Sequence, residues 1–421
     1  YTTHNEDAAE TISTDHLYQS GPLNLDITGF NMTMAEWDGG SVLLSHQEFS
    51  GRVTQKDNAG STSDHATHVA GTLIGEGLRS GTRGMAYEAD LDAYDWRIDN
   101  SEMAGVGANL RVSNHSYGRI TGFRYIKDSS AWLWYGDPDI DQNEDNDFGY
   151  YNNNAKDWDQ IAHNAPYYLI VKSAGNDRND DGPDPGDPHY YRDDNFQWVK
   201  STVSRDGDGD YDCIPPKGIA KNILTVGAVR DIQGGYSNPG DVQMTDFSSW
   251  GPADDGRIKP DIVANGYKLY STSEDGDTDY TTKSGTSMAA PNASGSLLLL
   301  QSLFKKTHAN NPMRAATLKG LAIHTADEAG AAPGPDYKHG WGLMNTASAA
   351  EVIIEDTSSN NLQEVTLQNN SKINFKVRAT GNQPLVATIC WTDEPGTVPQ
   401  RIVDPTDKIL VNDLDLRIFD S

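Results

Sequence analysis

Cysteine, basic charge and long apolar runs are the scarce features of this chain of 421 residues. Its two cysteines, Cys213 and Cys390, lie far apart and cannot build a disulfide framework. Neither has the setting of a nucleophilic thiol or a zinc site, so both read as structural. No apolar run approaches the roughly 18 residues that a membrane-crossing helix needs. The longest, at residues 297–300, sits inside a helix-like pattern. Lysine and arginine number 33 against 61 acidic residues, a formal charge of −28. That balance argues against nucleic acid or an anionic membrane surface as partner, and suits a protein that binds cations. Tyr1 opens no basic segment followed by an apolar one, so any targeting segment is expected to have been removed.

What is present is organised in three parts. Residues 1–30 are polar and read as an N-terminal extension laid over the surface. Residues 31–350 alternate short apolar strands with helical runs, the pattern of an α/β domain around a mainly parallel sheet. Strands are expected at 31–37, 91–96, 111–116, 168–173 and 223–229, and helices at 65–74, 287–304 and 313–325. Two stretches rich in Asp, Asn, Gly and Pro, 137–151 and 176–212, read as long surface loops. From 351 to 421 the pattern turns to short β-rich segments at 364–368, 372–377, 385–391 and 414–419, which predicts a smaller all-β domain. It stops at Ser421 as if further sequence or a partner segment were to complete it.

Four short segments carry chemistry-bearing residues. In Gly285-Thr286-Ser287-Met288-Ala289-Ala290-Pro291, small residues deliver a serine to the mouth of a helix, where unpaired N–H groups face incoming negative charge. Asp64-His65-Ala66-Thr67-His68-Val69-Ala70-Gly71-Thr72 sets histidines at i and i+3 on one helix, not the i, i+4 pair with an intervening glutamate of zinc proteases. In Met34-Ala35-Glu36-Trp37-Asp38-Gly39-Gly40 an acidic residue ends a strand, the carboxyl edge where α/β sheets hold functional groups. In Ser173-Ala174-Gly175-Asn176-Asp177 a strand ends in an amide able to donate to an oxyanion. Taken singly, each segment also reads as a cap or a turn.

Together, and in the order Asp, His, Asn, Ser, they resemble the subtilase family of serine peptidases over about residues 31–350. The resemblance implies Asp38, His65 and Ser287 as the catalytic triad and Asn176 as an oxyanion-hole donor. It also implies a substrate-binding edge at Ser116, Tyr117 and Gly118, with Ala174 and Gly175 opposite. Ala66 replaces a family glycine, and Tyr117 stands where a leucine is more usual. Residues 285–291 match the family's serine box without change, and Gly84-Met85-Ala86 and Gly340-Trp341-Gly342 match further landmarks. By the same resemblance the chain is a secreted endopeptidase acting on proteins or peptides, monomeric by default, with a cleaved inhibitory propeptide as an expected companion.

The tail segments Cys390-Trp391-Thr392-Asp393 and Leu410-Val411-Asn412-Asp413-Leu414-Asp415-Leu416 resemble the C-terminal β-sandwich of the alkaline, oxidatively stable bacterial subtilases. That likeness implies calcium, with Asp393 and Asp413 at matching positions. A second expected calcium loop is Asp206-Gly207-Asp208-Gly209-Asp210-Tyr211-Asp212, where carboxylates alternate with other residues as hard-cation loops require. It lacks the sharp-turn glycine and final glutamate of an EF-hand, and a flexible acidic loop is the alternative. An exopeptidase whose 176–212 insertion closes one end of the cleft, or a binding module on the same fold, are the competing readings of function. A sedolisin-type enzyme is set aside because that clan has a glutamate where His65 stands.

Overall fold

The computed structural model describes residues 3–205, 209–378, 381 and 384–419. Strands β1 (Thr33–Asp38), β2 (Val53–Gln55), β3 (Asp90–Asp95), β4 (Val112–His115), β5 (Leu169–Ser173), β6 (Leu224–Val229) and β7 (Ile262–Asn265) form one sheet in the order β7-β6-β5-β4-β1-β3-β2. Every neighbouring pair runs parallel. Such strands are buried on both faces, and β1 shows it: Met34 joins the core on one side of the sheet, Ala35 and Trp37 the core on the other.

Seven helices accompany the sheet among the described residues: α1 (Asn5–Thr11), α2 (Asp64–Ile74), α3 (Asp99–Val106), α4 (Asn153–Asn164), α5 (Thr286–Thr307), α6 (Ala315–His324) and α7 (Thr346–Ser359). Side chains of α2, α5, α6 and α7 share the first core, and those of α3 and α4 the second, which makes three layers. Helix α5 is buried nearly all round and runs through the first core, with Leu297, Leu298, Leu299 and Leu300 fully buried. Its close approach to the rest needs small residues. A Cβ at Gly295 of α5 would stand 2.6 Å from Met85 Cβ.

Four sequence expectations differ from the structure. The N-terminal stretch is docked into the core: Ala8, Ile12 and Leu17 are fully buried, and Thr14 Oγ1 lies 2.6 Å from Ser296 Oγ of α5. Its polar composition hid an apolar face only a few residues long. The 176–212 insertion contains paired strands, His189–Arg192 and Trp198–Ser201, which join Ala131–Trp134 and Phe123–Ile126 in a separate four-stranded sheet. Strands β2 (three residues) and β7 (four residues) had no expectation. Helix α7 crosses the boundary expected at 350, since Ala349, Ala350 and Ile353 continue one buried helical face. Beyond it, residues 360–419 contain no strand among those described, and several of their apolar side chains, including Phe375 and Val386, are exposed.

Candidate active site

The adjacency of β5, β4 and β1 in the sheet is what gathers the predicted residues. Asp38 is the last residue of β1, Ser116 directly follows β4, and Asn176 comes three residues after β5, so all three stand at one carboxyl edge. Helices α2 and α5 begin near this edge. Each has its key side chain at its second residue, His65 and Ser287.

Asp38 is buried, and its two carboxylate oxygens lie 2.8 and 2.9 Å from His65 Nδ1. Gly39 N also donates to Asp38 Oδ1 at 2.7 Å, which fixes the carboxylate plane. Burial works against a charged imidazole, but the charge and hydrogen bond of Asp38 outweigh it and hold His65 above its ordinary value. With Nδ1 committed to Asp38, Nε2 is the nitrogen left to exchange a proton.

Pro291 lies inside α5, beyond the first turn, and lacks the N–H that would bond to the Ser287 carbonyl. Ser116 Oγ donates to that carbonyl instead, at 2.9 Å. Ser287 Oγ in turn donates to the Ser116 carbonyl at 3.0 Å. Ser116 therefore braces the serine on both sides. The Ser287 hydroxyl hydrogen is thus committed to Ser116, and long or redirected hydrogen bonds of this kind are common in active sites without substrate. Asn176 Oδ1 accepts from Thr286 N at 2.8 Å and Thr286 Oγ1 at 3.0 Å. That anchoring leaves the Asn176 amide N–H groups facing away from Thr286. Met288 N and Ala289 N bond to the Gly285 carbonyl, so Ser287 N is the donor left over at the helix mouth.

The other predicted contact residues have distinct places. Tyr117 is buried, and its hydroxyl donates to Asp99 Oδ2 at 2.6 Å; burial and that carboxylate push its pKa well above the ordinary phenol value. Ala174 is fully buried. Gly175 has φ +120, and a Cβ there would stand 2.7 Å from Ser249 Oγ, so both conformation and space demand glycine. Next to Ser116 a cavity of about 290 Å³ is lined by Trp96, Tyr117, Gly118, Lys172, Pro215 and Lys217. A larger, open depression of about 580 Å³ around Arg230, Asp231 and Gln243 contains none of these residues.

Among the described residues, the expected calcium ligands do not come together. Asp206 and Asp208 lie outside the described residues. Asp210 pairs with Arg178 at 3.2 Å. Asp393 is bound by Lys221 Nζ at 2.5 Å and by the N–H groups of Val411 and Asn412, which hold it below the usual carboxylate range despite burial. Asp413 is exposed. Asp212 alone enters a carboxylate cluster, with Glu144 and Asp404, whose oxygens all lie within 4.8 Å of one another. Burial and Asp404 push Asp212 up to about 8, and burial with Asp212 pushes the neighbouring Asp254 up to about 9. Sequence reasoning missed Glu144, Asp254 and Asp404 because they come from three separate segments. It also missed Glu36, a buried carboxyl two residues before Asp38 with neither oxygen hydrogen-bonded. Lys172 was missed too, though a lysine inside the apolar run of β5 was a visible signal.

Residues 31–342 match the model of the S8 peptidases, the subtilase family. The chain belongs to the subtilase family. Among curated relatives, this subtilase is 33% identical over 147 residues to an extracellular serine protease of Serratia marcescens, covering 31% of this chain and 13% of that protein. It is 28% identical over 302 residues to the serine protease AprX of Bacillus subtilis, covering 65% of this chain and 58% of AprX. The subtilase chain thus spans well under two thirds of these relatives' lengths. Solved structures share its fold: the Clostridium perfringens CspB protease at a TM-score of 0.59 and 15% identity, covering 83% of this chain and 99% of that one. The prenylagaramide maturation protease PagA matches at a TM-score of 0.52 and 20% identity, covering 76% and 92%.

Proposed function

We propose that this subtilase is a secreted serine endopeptidase that cuts peptide bonds through an acyl-enzyme on Ser287. The observation that carries the reading is the grip of both Asp38 oxygens on His65 Nδ1 beside a serine at the mouth of α5. Ser287 Oγ attacks the scissile carbonyl carbon while its proton passes to His65 Nε2. Asp38 keeps the imidazole in the required tautomer and stabilises the imidazolium. The oxyanion accepts from an Asn176 amide N–H and from Ser287 N. His65 then gives the proton to the departing amine, and water repeats the sequence in reverse roles to release the acid. Secretion is supported by the extracellular serine protease among the relatives. A fluorophosphonate probe is expected to label the folded protein at Ser287, as read by peptide mapping, and Ser287→Ala to abolish both label and turnover. A folded protein that takes up no label would retire this reading in favour of a binding module.

Calcium is proposed as a structural ion, with Glu144, Asp212, Asp254 and Asp404 in place of most of the ligands expected from sequence. What supports it is the donor set: Asp212 Oδ1 and both Asp254 oxygens are buried without a hydrogen-bond partner. Gly149, at φ +63, has no room for a side chain beside them, a Cβ standing 2.0 Å from Asp254 Oδ1. Oxygen donors alone, several of them carboxylates, suit a hard cation. A completed C-terminal β-sandwich also belongs to the proposal, supported by the likeness of residues 390–393 and 410–416 to that domain.

A further inference from the structure

The cavity beside Ser116 contains a buried lysine amine without a carboxylate partner, and burial together with the Lys217 charge pushes its pKa down to about 7. Lys172 is 4% exposed, and its Nζ donates to Ser173 O at 2.7 Å and Ser173 Oγ at 2.8 Å. These two neutral acceptors leave one N–H of the ammonium to point elsewhere. No carboxylate lies within ion-pair distance of it among the described residues, whereas the cavity's other cations are matched: Lys217 pairs with Asp99, and Arg119 with Asp147. A buried charge held only by neutral groups costs free energy unless an anion completes it. The space beside it is open, since a Cβ added at Gly118 would stop 3.8 Å from Lys172 Nζ. The Tyr117 ring, Pro215 and Pro216 supply apolar walls for the methylenes of an incoming side chain.

We propose that this cavity receives the substrate residue whose carbonyl Ser287 attacks, and that Lys172 selects an acidic side chain there, glutamate or aspartate. The proposal rests on the serine-peptidase reading above and adds a substrate class to it. Two features place the cavity at that residue. Its wall, Tyr117-Gly118, continues directly from Ser116, whose carbonyl touches Ser287 Oγ. Lys172 stands on the strand that leads to Asn176. A carboxylate entering here gains a charge-assisted bond in a dry site, and a substrate lysine meets like charge. The selectivity is local, because the molecule as a whole carries −28 and repels acidic peptides at long range.

The test compares N-acylated tetrapeptide p-nitroanilides that differ only in the last residue: Glu, Gln, Leu or Lys. At about pH 6, where a glutamate is ionised and Lys172 charged, kcat/KM for Glu should exceed that for its neutral isostere Gln roughly tenfold or more. Lys172→Met should erase the Glu-over-Gln ratio while Leu is still cut, and Lys172→Arg should keep it. A Glu/Gln ratio near one in the unmodified protein would overturn the proposal, and that measurement stands even if Lys172→Met fails to fold. So would a Met variant that keeps the ratio. Fluorophosphonate labelling together with cleavage of the Leu peptide but not the Glu peptide would remove the selectivity and leave the peptidase. Neither labelling nor cleavage would remove both.

Discussion

At the scale of single residues, the site depends on side chains whose hydrogen bonds leave one group free for chemistry. Thr286 takes the oxygen of Asn176 and so leaves its amide N–H groups for other partners. Asp38 takes Nδ1 of His65 and leaves Nε2. Ser116 satisfies the carbonyl that Pro291 cannot. In the proposed mechanism the Asn176 amide meets negative charge only as the tetrahedral intermediate forms, so its contribution would belong to the transition state. Asn176→Ala should therefore lower kcat by about 10²–10³ with KM little changed, and steady-state kinetics on one peptide would show it. A rise in KM at constant kcat would instead make the amide a ground-state contact.

At the scale of elements, α1 and the turn after it matter more than their composition suggests. Ile12 is fully buried, its carbonyl accepts from Thr346 N of α7, and Thr14 reaches both Ser296 of α5 and Thr346. The stretch thus ties the helix that carries Ser287 to the helix that closes the domain. Ile12→Ala, made in the Ser287→Ala background to prevent self-digestion, should lower the free energy of unfolding in urea by about 2–4 kcal/mol. An extension merely lying on the surface would show a change within about 0.5 kcal/mol.

At the scale of the whole molecule, the excess of acidic residues gathers at a carboxylate cluster among the described residues. Glu144, Asp212, Asp254 and Asp404 come from distant parts of the chain, and gathering them opposes folding unless a cation joins them, because burial and close neighbours force protons onto Asp212 and Asp254. Calcium should raise the melting temperature and a chelator lower it, with a stabilisation of about 2.7 kcal/mol when calcium stands at 100 times its dissociation constant. Asp254→Asn should weaken this response and, in chelator, melt no lower than the parent protein, because an amide is spared the cost of protonating a buried carboxyl crowded by Asp212. Calorimetry with and without calcium decides it: equal melting temperatures for the parent protein would end the calcium reading.

The sequence by itself determined the parallel α/β pattern, because strands buried on both faces leave continuous apolar runs such as residues 168–173 and 223–229. It also determined the candidate triad and Asn176, since each stands in a short local segment that keeps its form wherever the fold puts it. Strands β2 and β7 carried no expectation, and α1 buries too few residues to stand out from its polar neighbours. Only the tertiary structure decided which carboxylates meet, pairing Asp393 with Lys221 and assembling Asp212 with groups far away in sequence. It alone placed Lys172 in the cavity beside Tyr117 and Gly118, bound only by the neutral oxygens of Ser173. The physical reason is common to these cases: local form follows from neighbouring residues along the chain, whereas charge pairing, burial and cavity lining depend on groups that only folding brings within a few ångströms.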